Sequence, residues 1–115
     1  MSETPRLPAY LEAGGLIRRV ETCGGSGMVL AKGEREAGTL LLQVLNHKGY
    51  GAVLERMPQL DGTRKWTVIK QQNPENSAEI NSYLSRRHDQ DCDNWLIELT
   101  IADSERFVSE LSHES

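Results

Sequence analysis

Four short strand-like segments follow one another between residues 26 and 70, and the connectors between them are too short to hold a helix. This spacing constrains the fold more than any other feature of the chain. Strands joined by a few residues pair antiparallel, because a parallel crossover needs a dozen residues or more. Residues 26–32 form the first expected strand, and the polar connector 33–38 leads into residues 39–46. There Leu40, Leu41 and Leu42, then Val44 and Leu45, give an apolar run suited to a central strand. The loop His47-Lys48-Gly49 turns the chain into residues 50–57, which Pro58 stops. Asp61-Gly62 is a strong turn signal. After it residues 64–70 alternate, with Trp66 and Val68 on one face and Thr67 and Ile69 on the other. The four segments read as an antiparallel meander.

Helical patterns flank them. Over residues 8–22, Leu16, Ile17 and Val20 recur at helical spacing and Pro8 suits the first turn. Gly14-Gly15 weakens this helix by about 1 kcal/mol per glycine relative to alanine, and Gly24-Gly25 ends it. Asn73-Pro74-Glu75 opens a second helix: Asn73 caps, Pro74 fits the first position, and Glu75 favours the positive end of the dipole. Its inner stripe is Ile80, Tyr83, Leu84 and Arg87. Residues 95–101 form a fifth strand, with Trp95, Ile97, Leu99 and Ile101 alternating onto one face. Asp103 or Ser104 caps a last helix whose apolar face is Phe107, Val108 and Leu111.

The expected fold is therefore a single α+β domain over residues 8–111, in the order α-β-β-β-β-α-β-α. It has an antiparallel sheet of about five strands with helices on one face. A flexible arm (1–7) and tail (112–115) complete it. A chain of 115 residues suits one domain with one core. Aromatic residues are only 5%, so the core rests on Leu, Ile and Val, with Trp66, Trp95, Tyr50, Tyr83 and Phe107 as bulky exceptions.

The net charge is −4, and the acidic excess lies in residues 58–115. Such a balance disfavours general binding to phosphate backbones. No basic-then-apolar leader is visible at the N-terminus, and no apolar run reaches membrane-spanning length. A cytoplasmic location follows as an expectation, with Cys23 and Cys92 both reduced.

The familiar chemical motifs fail one by one. The glycines of Cys23–Gly27 close a helix, whereas a phosphate loop opens one and ends in Gly-Lys-Ser/Thr. Asp89, Asp91 and Asp93 resemble the start of a calcium loop, but Asn94 and Thr100 stand where glycine and glutamate are needed. His88 and Cys92 lack the further partners of a zinc site. Cys23 follows a helix C-terminus and Cys92 lies between aspartates, so neither favours a thiolate. No metal, cofactor or catalytic residue is expected.

Two charged features remain. Of the adjacent Arg18 and Arg19, only one can follow the apolar edge of its helix, from which it could reach Glu55 or Glu98. Glu98 interrupts an apolar strand, and it should face outward with Glu55 on the open side of the sheet. Together with Arg56, Asp93 and Trp95 these residues form the expected binding surface: Arg18, Arg19, Glu55, Arg56, Asp93, Trp95 and Glu98.

Several short motifs also occur here in a distinctive order. They are Leu16-Ile17-Arg18-Arg19-Val20, Ala31-Lys32-Gly33 followed by Glu36-Ala37-Gly38, and Tyr50 to Pro58 ending Glu-Arg-Met-Pro. Further on come Asp61-Gly62-Thr63-Arg64, Asp91 to Leu99 around Trp95, and Ala102-Asp103-Ser104-Glu105-Arg106-Phe107. In these the chain resembles domain-of-unknown-function family 1491, found mostly in alphaproteobacteria, from about Arg6 to Leu111. Cys92 departs from that pattern, which has proline between the two aspartates. The resemblance implies a bacterial, cytoplasmic, stand-alone domain and brings no activity, cofactor or catalytic residue.

The leading expectation is a small non-enzymatic binding or adaptor domain whose partner is another protein or a second copy of itself. One alternative is a hydrolase or ligand-binding enzyme using carboxylates with His47 or His88. Another is weak nucleic-acid binding through Arg18, Arg19, Arg86 and Arg87.

Overall fold

The computed structural model describes residues 7–114, so the expected arm lies outside the described residues except for Leu7. Three α-helices and five strands run in the expected order: α1 (Ala9–Thr22), β1 (Ser26–Ala31), β2 (Leu40–Leu45), β3 (Gly51–Pro58), β4 (Arg64–Gln72), α2 (Ser77–Gln90), β5 (Trp95–Thr100) and α3 (Ser104–Ser112). A short 3-10 turn, Pro74–Asn76, precedes α2. Asn73 and Asn76 cap it reciprocally, each side chain accepting from the other's backbone N–H at 2.8 and 3.0 Å.

The strand order is β1-β5-β2-β3-β4. Thus β2, β3 and β4 form the expected meander, but β1 is not its neighbour. Instead β5 inserts between β1 and β2, antiparallel to the first and parallel to the second, so the sheet is mostly antiparallel rather than wholly so. Composition explains the insertion. Trp95, Leu96, Ile97 and Leu99 are all buried, so β5 is apolar on both faces and belongs inside the sheet.

The connector between β1 and β2 must then cross the end of β5, and it does so as a strap. The indole Nε1–H of Trp95 donates to the carbonyl of Glu34 at 2.8 Å. The backbone N–H of Glu34 donates to the carbonyl of Asp93 at 3.0 Å. A side chain at Gly33 would collide with that same carbonyl. The strap also receives α1, which lacks a side-chain cap. The free N–H groups of Ala9 and Tyr10 donate to the carbonyls of Glu36 and Arg35 at 2.9 and 3.0 Å. At the other end of α1, Gly24 takes φ +85°, the left-handed conformation that stops the helix.

The helices do not share one face, contrary to the expectation. Ala13, Leu16 and Val20 of α1 and Phe107 and Leu111 of α3 pack with Leu42, Val44, Leu54, Trp66 and Ile97. Ile80 and Leu84 of α2 pack on the opposite side, with Leu41, Val53 and Leu96. The reason lies in the strands: successive residues point to opposite faces, and β2 is apolar at Leu40 through Leu42 without alternation. Both faces therefore need cover. The α2 helix supplies it on the second face, but β1 lies at the margin of that cover and stays largely exposed.

Candidate functional site

The predicted surface residues fall on different sides of the sheet. Arg19 does not reach Glu55 or Glu98, because the sheet lies between them. Its Nη2 instead pairs with Glu114 at 2.6 Å, with Glu110 at 3.9 Å, and its guanidinium stacks on Phe107. The hydrogen bond to Glu114 raises the pKa of Arg19. Arg18 is exposed and has no ion-pair partner among the described residues. Arg56 bonds Glu12 of α1 at 2.5 Å and stacks on Trp66, which locks α1 to the meander. Trp95 is buried, not a surface group, at 6% exposure. Asp93 sits in the exposed turn before β5, where its N–H donates to Asp91 at 3.1 Å.

Glu55 and Glu98 do share a face, the one that α2 covers. Glu55 is engaged there: Arg87 holds it with two parallel bonds, Nη1 to Oε1 at 3.1 Å and Nη2 to Oε2 at 2.7 Å. Tyr83 steadies the same guanidinium through its hydroxyl at 2.9 Å. The carboxylate drives the pKa of Arg87 above its usual value. Glu98, in contrast, has no hydrogen bond or ion pair among the described residues.

Glu98 lies in an open groove of about 400 Å³ between α2 and β1. Leu30 and Ala31 form one wall, Leu84 and Leu96 the floor, and Asn81, Ser85, His88 and Asp89 the α2 side. Gln43 also lines it. Its Nε2 donates to Gln72 Oε1 at 2.9 Å and to Asn81 Oδ1 at 3.3 Å, while its own Oε1 accepts nothing. His88 donates from Nδ1 to the carbonyl of Asn94 at 2.9 Å. No hydrogen bond joins His88 to Ser85, Asp89 or Glu98 among the described residues, and His47 lies in the distant β2–β3 turn. A second hollow, of about 630 Å³, lies by the start of α3. Two of its polar groups are engaged: Asp103 caps α3 by accepting from the Arg106 N–H, and the Ser104 hydroxyl donates to the carbonyl of Tyr50. Among the described residues no three His, Cys, Asp or Glu side chains converge as a metal site would require.

The groove opens beside the edge strand β1. Its outer side pairs with no strand among the described residues, and Met28, Val29 and Leu30 are exposed at 54%, 37% and 46%. The strand carries no charge and no proline. The opposite edge, β4, carries Arg64, Lys65 and Lys70. Charged side chains are how edge strands commonly discourage pairing, so one edge is guarded and the other is not. Sequence reasoning assigned the β1 strand but not its place at the edge, since the insertion of β5 depends on long-range pairing. The available signal was the weak alternation of Ser26 to Ala31, which has no clean buried face.

An open mixed sheet with helices on both faces, and one bare edge, defines a small α+β domain by architecture rather than by any catalytic set. The chain belongs to the family described as protein of unknown function (DUF1491), whose model matches residues 7–109. It is similar to a DUF1491 family protein from Caulobacter crescentus CB15, solved by crystallography. The two are 26% identical, with a TM-score of 0.79 over 89% of this chain and 94% of that one. It is also similar to protein Atu0922 from A. tumefaciens, solved in solution, at 25% identity and a TM-score of 0.70 over 84% and 86% of the two chains. No curated protein matches it. Several motifs behind the family resemblance have structural roles here: the strap around Gly33, the Trp95 anchor, and the Asp103 cap. No helix among the described residues is long and apolar enough to cross a membrane.

Proposed function

We propose that this chain is a non-enzymatic binding domain that docks an extended segment of a partner protein along β1. The observation that carries the reading is the bare edge: an uncharged strand whose outer backbone groups are open and whose Met28, Val29 and Leu30 are exposed. Adding a strand there satisfies the backbone of both chains and covers the apolar side chains. The domain works in the cytoplasm, where the exposed Cys23 and Cys92 stay free thiols. Protein rather than nucleic acid is the partner. Arg18 and Arg19 lie on α1 and Arg86 and Arg87 on α2, on opposite faces, and two of the four are held in ion pairs. A second copy of the chain pairing edge to edge is the competing occupant.

The test is capture from the native cell on immobilised protein, comparing wild type with Val29→Lys and with Lys65→Glu at the opposite edge. Val29 is part-exposed, so the lysine is tolerated, yet an added strand would have to accommodate its charge. The captured partner should be lost with Val29→Lys and retained with Lys65→Glu. Equal capture by Val29→Lys and wild type would contradict the reading.

A further inference from the structure

The groove beside α2 is lined by acceptors that no donor meets. Glu98 has no partner among the described residues, and Asp89 stands exposed at the rim. Gln43 is only 2% exposed, yet its Oε1 accepts no hydrogen bond. A buried amide oxygen left without a donor is destabilising, which makes an incoming donor valuable there. His88 adds a further acceptor. The carbonyl of Asn94 can only accept, so Nδ1 carries a proton, and in the neutral tautomer this leaves Nε2 as an acceptor. Beside the Asn81 amide and the Ser85 hydroxyl, the groove thus offers two carboxylates, an amide oxygen and an imidazole nitrogen. That set is complementary to a group that is cationic and only donates: an ammonium or a guanidinium.

Register places this groove within reach of the docking edge. Met28, Glu98 and Gln43 lie in one row across β1, β5 and β2, on the face that α2 covers. A strand added outside β1 lies two strand spacings, about 10 Å, from β5. A residue opposite Met28 would project over the exposed Met28 side chain towards Glu98. Short side chains cannot span that gap. Lysine and arginine can, with the aliphatic stem lying on Met28 and Leu30 and the charged head entering the groove.

We infer that the segment docked on β1 carries a lysine or arginine whose charged head is received by Glu98, in the groove that Gln43, His88 and Asp89 also line. The inference rests on the reading of β1 as a docking edge, and it specifies the partner: an extended strand with a basic residue at the position facing Met28. It also fits the acidic balance of the second half of the chain, which supplies Glu98 and Asp89.

The probe is a capped pentapeptide, acetyl-Val-Thr-Arg-Thr-Val-amide, titrated into isotopically labelled protein and followed by amide chemical shifts. Its partner probe replaces arginine by citrulline, which keeps the shape and removes the charge. N-acetyl-arginine amide reports on the groove alone. Expected are saturable shifts at Gln43, Ser85, His88 and Glu98 with both arginine probes. Binding should fall roughly tenfold for the citrulline peptide and for Glu98→Gln, as the loss of one charge-assisted hydrogen bond predicts. Because Glu98 is partly exposed and unpaired, its glutamine isostere should fold normally, which the remaining unshifted resonances check.

The two proposals fail separately. Equal binding of the arginine and citrulline peptides, both lost with Val29→Lys and Val29→Glu, would overturn the groove inference and leave the edge reading standing. Arginine-dependent shifts in the groove that survive both Val29 variants would overturn the edge reading alone. A dimer in sedimentation that blocks the peptide and is indifferent to Glu98→Gln would assign the edge to a second copy and overturn the inference.

Discussion

Trp95 combines two roles that its position in the sequence does not separate. Its ring is core, and its one polar atom anchors the Gly33–Gly38 strap through the carbonyl of Glu34. Replacing it by phenylalanine keeps most of the apolar contact but removes that bond and leaves a small void. Trp95→Phe should cost about 1–2 kcal/mol, read as a lower urea midpoint with an unchanged slope. An unaltered midpoint would mean that the strap is held by its backbone bonds alone. Single residues were unevenly legible. The alternation of Trp95, Ile97 and Leu99 identified a strand, and Asp103 was readable as a cap because capping is local. The partners of Arg19, Glu55 and Arg56 were not readable, because each pairs with a residue from another element. Arg56 shows the difficulty well. Its strand position could be assigned from sequence, but its bond to Glu12 joins residues that only the packing of α1 on the meander brings together.

At the scale of elements, α2 matters most to the site, since it forms one side of the groove. It is held against the sheet by, among other contacts, the Ile80–Leu84 apolar stripe on Leu41, Val53 and Leu96 and the Arg87 fork on Glu55. The fork is partly shielded from water, at 25% and 19% side-chain exposure. Arg87→Met preserves the stem and removes the charge, leaving Glu55 without its partner. It should destabilise the domain by about 2 kcal/mol, the range for hydrogen bonds to charged groups. Denaturant unfolding checks this, and a loss near zero would show that water replaces the arginine without cost. The existence, order and approximate limits of the elements were all legible, because periodicity, turn residues and caps are local signals. The side of the sheet that α2 occupies was not. Its clue was the unbroken run Leu40-Leu41-Leu42, which tells that both faces of β2 are covered but not by which helix.

At the scale of the whole molecule, the asymmetry of the two sheet edges is what the fold delivers. β4 ends one side with charged residues, and β1 ends the other with an uncharged, apolar strand beside an acidic groove. This arrangement arises only because β5 enters between β1 and β2, which displaces β1 to the margin. Strand order depends on contacts between distant parts of the chain, so the candidate site could not be assembled from sequence even though its strand, its helix and Glu98 were each singled out. Amide hydrogen exchange with and without the arginine pentapeptide tests the resulting account most directly. Bound peptide should slow exchange within Ser26–Ala31 of β1 and leave Arg64–Gln72 of β4 unchanged. Protection at β4, or bound peptide with no added protection in β1, would contradict it.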